Sequence, residues 1–119
     1  MGKVNLSEKF SVFNDYRSPK IVGELNSQQV KLVKLKGPFI WHHYDNEDEL
    51  FYVVKGSLDM EFRDKIVTVN EEEFIIVPRK TEHRPNASEE VHIMLFEPAS
   101  TLNTGNIENE FTKKELKKI

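Results

Sequence analysis

Glu49-Leu-Phe-Tyr-Val-Val54, closed by Lys55-Gly56 and followed by Leu58-Asp-Met-Glu-Phe-Arg63, decides how the rest of the chain is read. In the second run Leu58, Met60 and Phe62 fall on one face and Asp59, Glu61 and Arg63 on the other, the two-residue period of a strand half exposed to water. The first run differs. Glu49, Phe51 and Val53 share one side, yet Leu50, Tyr52 and Val54 on the other are equally apolar, so their sheet needs cover on both faces. A second copy of the chain is the simplest cover, which predicts a homodimer.

Outward from this pair the rhythm continues. Val30 to Leu35 reads as a strand that stops at the turn signal Lys36-Gly37-Pro38, and Phe39 to Tyr44 as the next. The acidic loop Asp45-Asn-Glu-Asp48 precedes Glu49, and Asp64-Lys65 forms a hairpin connection. Ile66 to Val69, Phe74 to Val77 and Val91 to Phe96 complete the set, separated by Asn70 to Glu73 and by Pro78 to Glu90. Closely spaced short strands of this kind predict an all-β sandwich or barrel. No interior segment has a helical period. Thr112-Lys-Lys-Glu115 carries capping-box spacing ahead of Leu116, so the tail holds a helix start too short to stand alone.

A chain of 119 residues is one domain's worth. The expected division is a barrel core over about 28–98, an N-terminal extension over 1–27 and a C-terminal tail over 99–119. Lys+Arg 17 against Asp+Glu 20 leaves a net charge of −3, without the basic field that draws in nucleic acid. Cysteine is absent, which removes disulfides, thiolate ligands and thiol nucleophiles and leaves imidazole, carboxylate and phenol. No stretch is apolar enough to span a bilayer and the N-terminus has no apolar leader, so the expectation is a cytoplasmic protein without a membrane partner. Phosphate loops, nucleophile turns and dinucleotide fingerprints are missing.

The histidines carry the chemistry. His42 shares a strand face with Tyr44, and His43 the opposite face with Trp41, so one of the adjacent pair can enter the barrel. Glu49 heads an apolar row, where a carboxylate is costly without a cation or a donor. His83 sits between two apolar strands in Pro78-Arg-Lys-Thr-Glu-His83-Arg-Pro85, at a rim from which it can turn inward. Two imidazoles and one carboxylate form a set that suits iron, manganese, nickel or zinc with coordination positions left open. A register using His43 and Asp45 in place of His42 and Tyr44 stays open at this point. His92 alternates with Met94 and Phe96, and reads either as a core histidine or as a pocket residue if that row faces inward. Phe51, Met60, Phe62, His92 and Met94 are the candidate pocket side chains. Arg79 and Arg84 flank His83, as anion clamps or as rim residues paired to carboxylates such as Glu82.

Trp41-His-His-Tyr-Asp-Asn-Glu-Asp-Glu-Leu-Phe-Tyr-Val-Val-Lys-Gly56 resembles the first motif of the cupins, His-x-His, four residues, Glu, six residues, Gly, and Pro78 to His83 resembles the second, Pro-x-Gly-x-x-His. The close Glu97-Pro-Ala-Ser-Thr-Leu-Asn-Thr-Gly105 is similar to the end of short bacterial cupins. The resemblance covers about residues 5–106 and implies a double-stranded β-helix, or jelly-roll barrel, with His42, Glu49 and His83 as metal ligands. It places His42, rather than His43, in register. Tyr44 stands where the second histidine of the first motif usually is, Lys80 where the second motif has glycine, and Glu72 where another glycine commonly precedes it. A phenol can ligate iron, serve as an acid or base or hydrogen-bond a metal-bound water, or simply fill space. The family includes dioxygenases and sugar-phosphate isomerases, so the resemblance implies a small oxygen-bearing ligand, either transformed at a divalent metal or held by a non-enzymatic binding or structural dimer with no metal.

Overall fold

The computed structural model describes residues 2–119; Met1, the first residue of the expected extension, lies outside the described residues. The elements are α1 (Leu6–Phe10), β1 (Lys20–Leu25), β2 (Gln28–Pro38), β3 (Glu49–Lys55), β4 (Ser57–Phe62), β5 (Ile66–Asn70), β6 (Phe74–Val77), β7 (His83–Pro98) and β8 (Lys117–Lys118). They form an all-β jelly roll, hydrogen-bonded in the order β5-β4-β7-β2-β1-β8, with β3 between β7 and β6. Strands β5 and β6 each pair on one side only, so among the described residues the roll does not close.

Strand β7 ties the two layers together. One edge pairs antiparallel with β2 from Gln28↔Pro98 to Pro38↔Asn86. Its other edge pairs first with β4, up to Asp59↔Asn86, and then with β3, from Lys55↔His92 to Leu50↔Phe96. The changeover lies beside a register shift between Leu35 and Gly37, where an irregularity lets the ribbon bend from one layer to the other. Between the layers Val33, Phe51, Val53, Met60, Ile93 and Leu95 are buried in the main apolar cluster.

The alternation in β3 and β7 also produces a second apolar face outside the roll. Part of it is covered by the N-terminal segment: Phe10 and Phe13 pack on Leu32, Val54 and Met94. Lys34 holds that segment down, its Nζ donating to the Phe13 carbonyl at 2.6 Å and lying 4.8 Å from the Phe13 ring centre. The extension therefore includes a helical turn and a full strand, β1, rather than merely preceding the core.

Four local expectations are corrected. Strand β2 does not stop at Leu35 but runs through Lys36-Gly37 to Pro38, because Gly37 at φ 77 takes up the irregularity within the strand. Phe39 to Tyr44 is a loop, with only His42 bridging to His83. Strand β7 begins at His83 despite Pro85, whose carbonyl accepts from Phe39 N at 2.9 Å just beyond the last pair with β2, so its missing N–H interrupts no ladder there. Thr112 starts no helix. Its hydroxyl accepts from Asn109 N at 3.0 Å and shares a 2.7 Å hydrogen bond with Thr104, closing a turn, and β8 then pairs parallel with β1.

Candidate metal centre

His42, Glu49 and His83 reach one point from three places in the chain, each offering a ligand atom within 4.8 Å of the others. All are buried, at 2%, 3% and 0% exposure. Glu49 opens β3 on the inward row with Phe51 and Val53. His83 opens β7, and His42 is fixed to it by reciprocal backbone hydrogen bonds, His42 N to His83 O at 3.0 Å and His83 N to His42 O at 2.9 Å. The two rings lie 4.4 Å apart between centroids.

Both imidazoles are oriented the same way. His42 Nδ1 lies 2.8 Å from the Ile40 carbonyl and His83 Nδ1 2.9 Å from the Thr81 carbonyl. A carbonyl can only accept, so each Nδ1 carries the proton and each Nε2 turns a lone pair toward the centre. This is the outer-shell arrangement that holds a ligating histidine in one tautomer. His83 Nε2 stands 3.7 Å from Glu49 Oε1, and neither atom has a hydrogen-bond partner. Buried polar atoms left without partners are costly, and a cation between them would remove that cost.

Burial sets the protonation states. It pulls His42 down to about 3, with the neighbouring His83 adding to the effect, and it lowers His83 as well. Burial raises the Glu49 carboxyl, opposed by Glu97 and by the Lys31 ammonium. The imidazoles are thus neutral, as ligation requires, while Glu49 is costly to ionise until a positive ion stands beside it.

Behind Glu49 lies a buried ion pair that sequence reading missed. Lys31 Nζ is 2.8 Å from Glu97 Oε1, with the two side chains 1% and 2% exposed. Burial, reinforced by Glu49, pushes Glu97 well above the usual carboxylate range. The available signal was the inward row itself: Lys31 alternates with Val33 and Leu35, and Glu97 with Ile93 and Leu95, so both charges fall on the buried face.

Tyr44 is buried beside the two histidines, with ring centroids 5.4 Å from His42 and 6.1 Å from His83. Its hydroxyl donates to the Asn103 carbonyl at 3.3 Å, and burial with nearby Glu49 raises the phenol well above its ordinary range. The phenol therefore keeps its proton at neutral pH and serves as a hydrogen-bond donor. His43 turns outward, its Nε2 3.2 Å from Asp45 Oδ1, so the structure places the alternative pair at the surface.

Of the candidate pocket side chains, Phe51 lines the cavity beside His42, Tyr44 and Glu49, a narrow space of ≈ 30 Å³. Met60 is fully buried in the main core and Phe62 packs against that core, so neither is a cavity wall. His92 and Met94 are corrected outright. In β7 the inward row is Val91, Ile93 and Leu95, which sends His92 and Met94 to the outer face, where His92 stacks on Phe10 at 4.5 Å. Arg79 pairs with Asp48 and Arg84 with Glu61, while Glu82 takes Arg63, so the rim arginines are occupied. Sequence reading also passed over Arg17 and Asn103, which the folded extension and tail bring to the cavity.

Comparison with known proteins agrees with the fold. The Cupin domain family matches residues 32–97, a segment that holds all three candidate ligands. A cupin-2 domain containing protein from Shewanella frigidimarina superposes with a TM-score of 0.79 at 43% identity, covering 80% of this chain and 93% of that one. A protein from Neisseria meningitidis gives 0.75 at 28% identity, covering 82% and 99%. The uncharacterized protein YdbB of Bacillus subtilis (strain 168) is 36% identical over 64 residues, 53% of this chain and 57% of that protein, so the match spans little more than half of this relative's length. With more than half of its residues inside the family match and its strands laid out as in these relatives, the chain belongs to the cupin domain family.

Proposed function

We propose that this chain, acting as one domain over residues 1–119 in the cytoplasm, binds one divalent metal ion (iron, manganese, nickel or zinc) through His42 Nε2, Glu49 and His83 Nε2, and uses it to hold a small oxygen-bearing ligand. The observation that carries this reading is the pair of buried, partnerless atoms, Glu49 Oε1 and His83 Nε2, facing each other while both Nδ1 atoms are already committed. When bound, such an ion supplies Lewis acidity toward a ligand oxygen. The chain's own part is to orient the imidazoles, exclude water with Phe51, Val33 and Leu95, and present the protonated Tyr44 hydroxyl as a hydrogen-bond donor at the same cavity, in the place of an acid or base. Dioxygenation and isomerisation both suit this arrangement.

The test is elemental analysis of untagged protein purified without added metal, beside His83→Ala. Near one ion per chain in the wild type and its loss in the variant is the expected result. Absence of metal in the wild type, with none taken up on addition, refutes the reading. If iron is found, oxygen uptake with small phenols, diketones and thiols separates an oxygenase from a binder.

A homodimer belongs to the same proposal. The outer face left uncovered by the N-terminal segment carries Phe74 and Ile76, 60% and 54% exposed, with Leu50, Tyr52 and Phe96 in register beside them on the free-edged side of the sheet. An exposed apolar row next to an unpaired strand edge is a surface that a second copy can cover.

A further inference from the structure

Arg17 and Asn103 line the same cavity as His42 and Glu49, and Pro19, Val33 and Leu35 are among its apolar lining. The Arg17 backbone is held firmly: its N donates to the Lys34 carbonyl at 3.0 Å, and its own carbonyl accepts from Asn103 Nδ2 at 3.4 Å. It adopts φ 64, a left-handed conformation that costs a non-glycine residue and persists where surrounding contacts impose it. The guanidinium lies 4.7 Å over the Phe111 ring, and Phe111 stacks on Phe39, whose edge meets His42. Arg17 is thus part of the same wall as a candidate ligand.

What distinguishes it is its charge. Among the described residues Arg63, Arg79 and Arg84 each meet a carboxylate within 4.0 Å, and Arg17 meets none. Glu49 is the one carboxylate in the cavity lining, where the ion proposed above would take it as a ligand, and nearby Glu97 is engaged by Lys31. No carboxylate of the lining is left for Arg17. The Arg17 guanidinium offers a planar fork suited to a carboxylate, and the mainly apolar remainder of the lining leaves little to satisfy the further oxygens of a phosphate.

Resting on the metal reading above, we propose that Arg17 is the anion anchor of the cavity, and that the ligand is a short organic monocarboxylate with an apolar middle. Its carboxylate meets Arg17 and an oxygen at its other end is directed toward His42, Glu49 and His83.

The experiment uses the full chain loaded with zinc, with levulinate as probe and methyl propyl ketone as its neutral counterpart. Binding is followed by calorimetry for the wild type and Arg17→Gln, and the metal content of each sample is measured. The expected result is levulinate binding weakened about tenfold or more in Arg17→Gln at unchanged zinc content, with the ketone bound equally by both proteins. Equal levulinate affinities, no binding by the loaded wild type, or tighter binding of inorganic phosphate than of levulinate would overturn the proposal. If the wild type takes up no metal, the metal reading fails on that measurement. The same comparison on metal-free protein then decides Arg17 separately: a loss in Arg17→Gln supports the anchor and equality refutes it.

Discussion

Gly105 has no side chain at the point where the tail passes over His42: a β-carbon there would sit 2.9 Å from Cδ2 of the imidazole and would collide with the His43 carbonyl. The residue also adopts φ 58, and the next one, Asn106, clamps His43 through its amide and its side chain. Gly105→Ala is expected to displace either the tail or the imidazole, with a stability loss of about 1–3 kcal/mol and weaker metal binding. Thermal unfolding with and without added zinc checks both effects. An unchanged melting temperature would show that the tail yields freely.

Two other backbone positions run in the opposite direction. Lys80 and Glu72, at φ 66 and φ 68, keep the left-handed conformation of the glycines that the family motif carries there. Both side chains are exposed, so nothing is lost in packing when they are removed. Lys80→Gly and Glu72→Gly should each stabilise the protein by roughly 0.5–1 kcal/mol, less than the full conformational strain because glycine gains freedom in the unfolded chain. Denaturant midpoints measure this, and a decrease in either variant contradicts it.

The pH dependence of metal stabilisation follows from the buried ligands. The Glu49 carboxyl is raised above 4.5 in the metal-free fold, so its contribution to stability is full below that value and is lost as pH rises through the folded pKa. His42, lowered from 6.5 to about 3, acts oppositely: its contribution is full above 6.5 and is lost as pH falls. A bound ion requires ionised Glu49 and neutral imidazoles. Added zinc should therefore raise the melting temperature more at about pH 7.5 than at about pH 5. Equal shifts at the two values would remove Glu49 from the ligand set.

Ile76→Lys addresses the outer face. The side chain is 54% exposed in the single chain and lies beside Leu50 in register. A charge there should convert a dimer to a monomer by light scattering, at unchanged metal content, because burying an unpaired ammonium in an apolar interface costs several kcal/mol. A wild type already monomeric at micromolar concentration would leave the apolar row without its proposed cover.

The inward carboxylate and the two separated histidines were legible in sequence, since the two-residue period placed Glu49 with Phe51 and Val53, and the motif spacing favoured His42 over His43. Other features were hidden for physical reasons. Pro85 and the polar run around it argued against a strand, whereas β7 runs through them because it is flanked on both edges. The alternation of His92 with Met94 and Phe96 was correct, but period alone does not say which face is inside. Phe10 and Phe13 lie in a polar stretch with no period, and only the folded sheet shows what they cover. Arg17 had no sequence signal at all, because its place depends on loops that meet only in three dimensions.

The shared strand β7 has a kinetic consequence. Its first residue is His83 and its penultimate one is Glu97, with β2, β3 and β4 bonded along its edges in between. Amide exchange along this strand should therefore proceed through one rare, cooperative opening rather than by fraying of its ends.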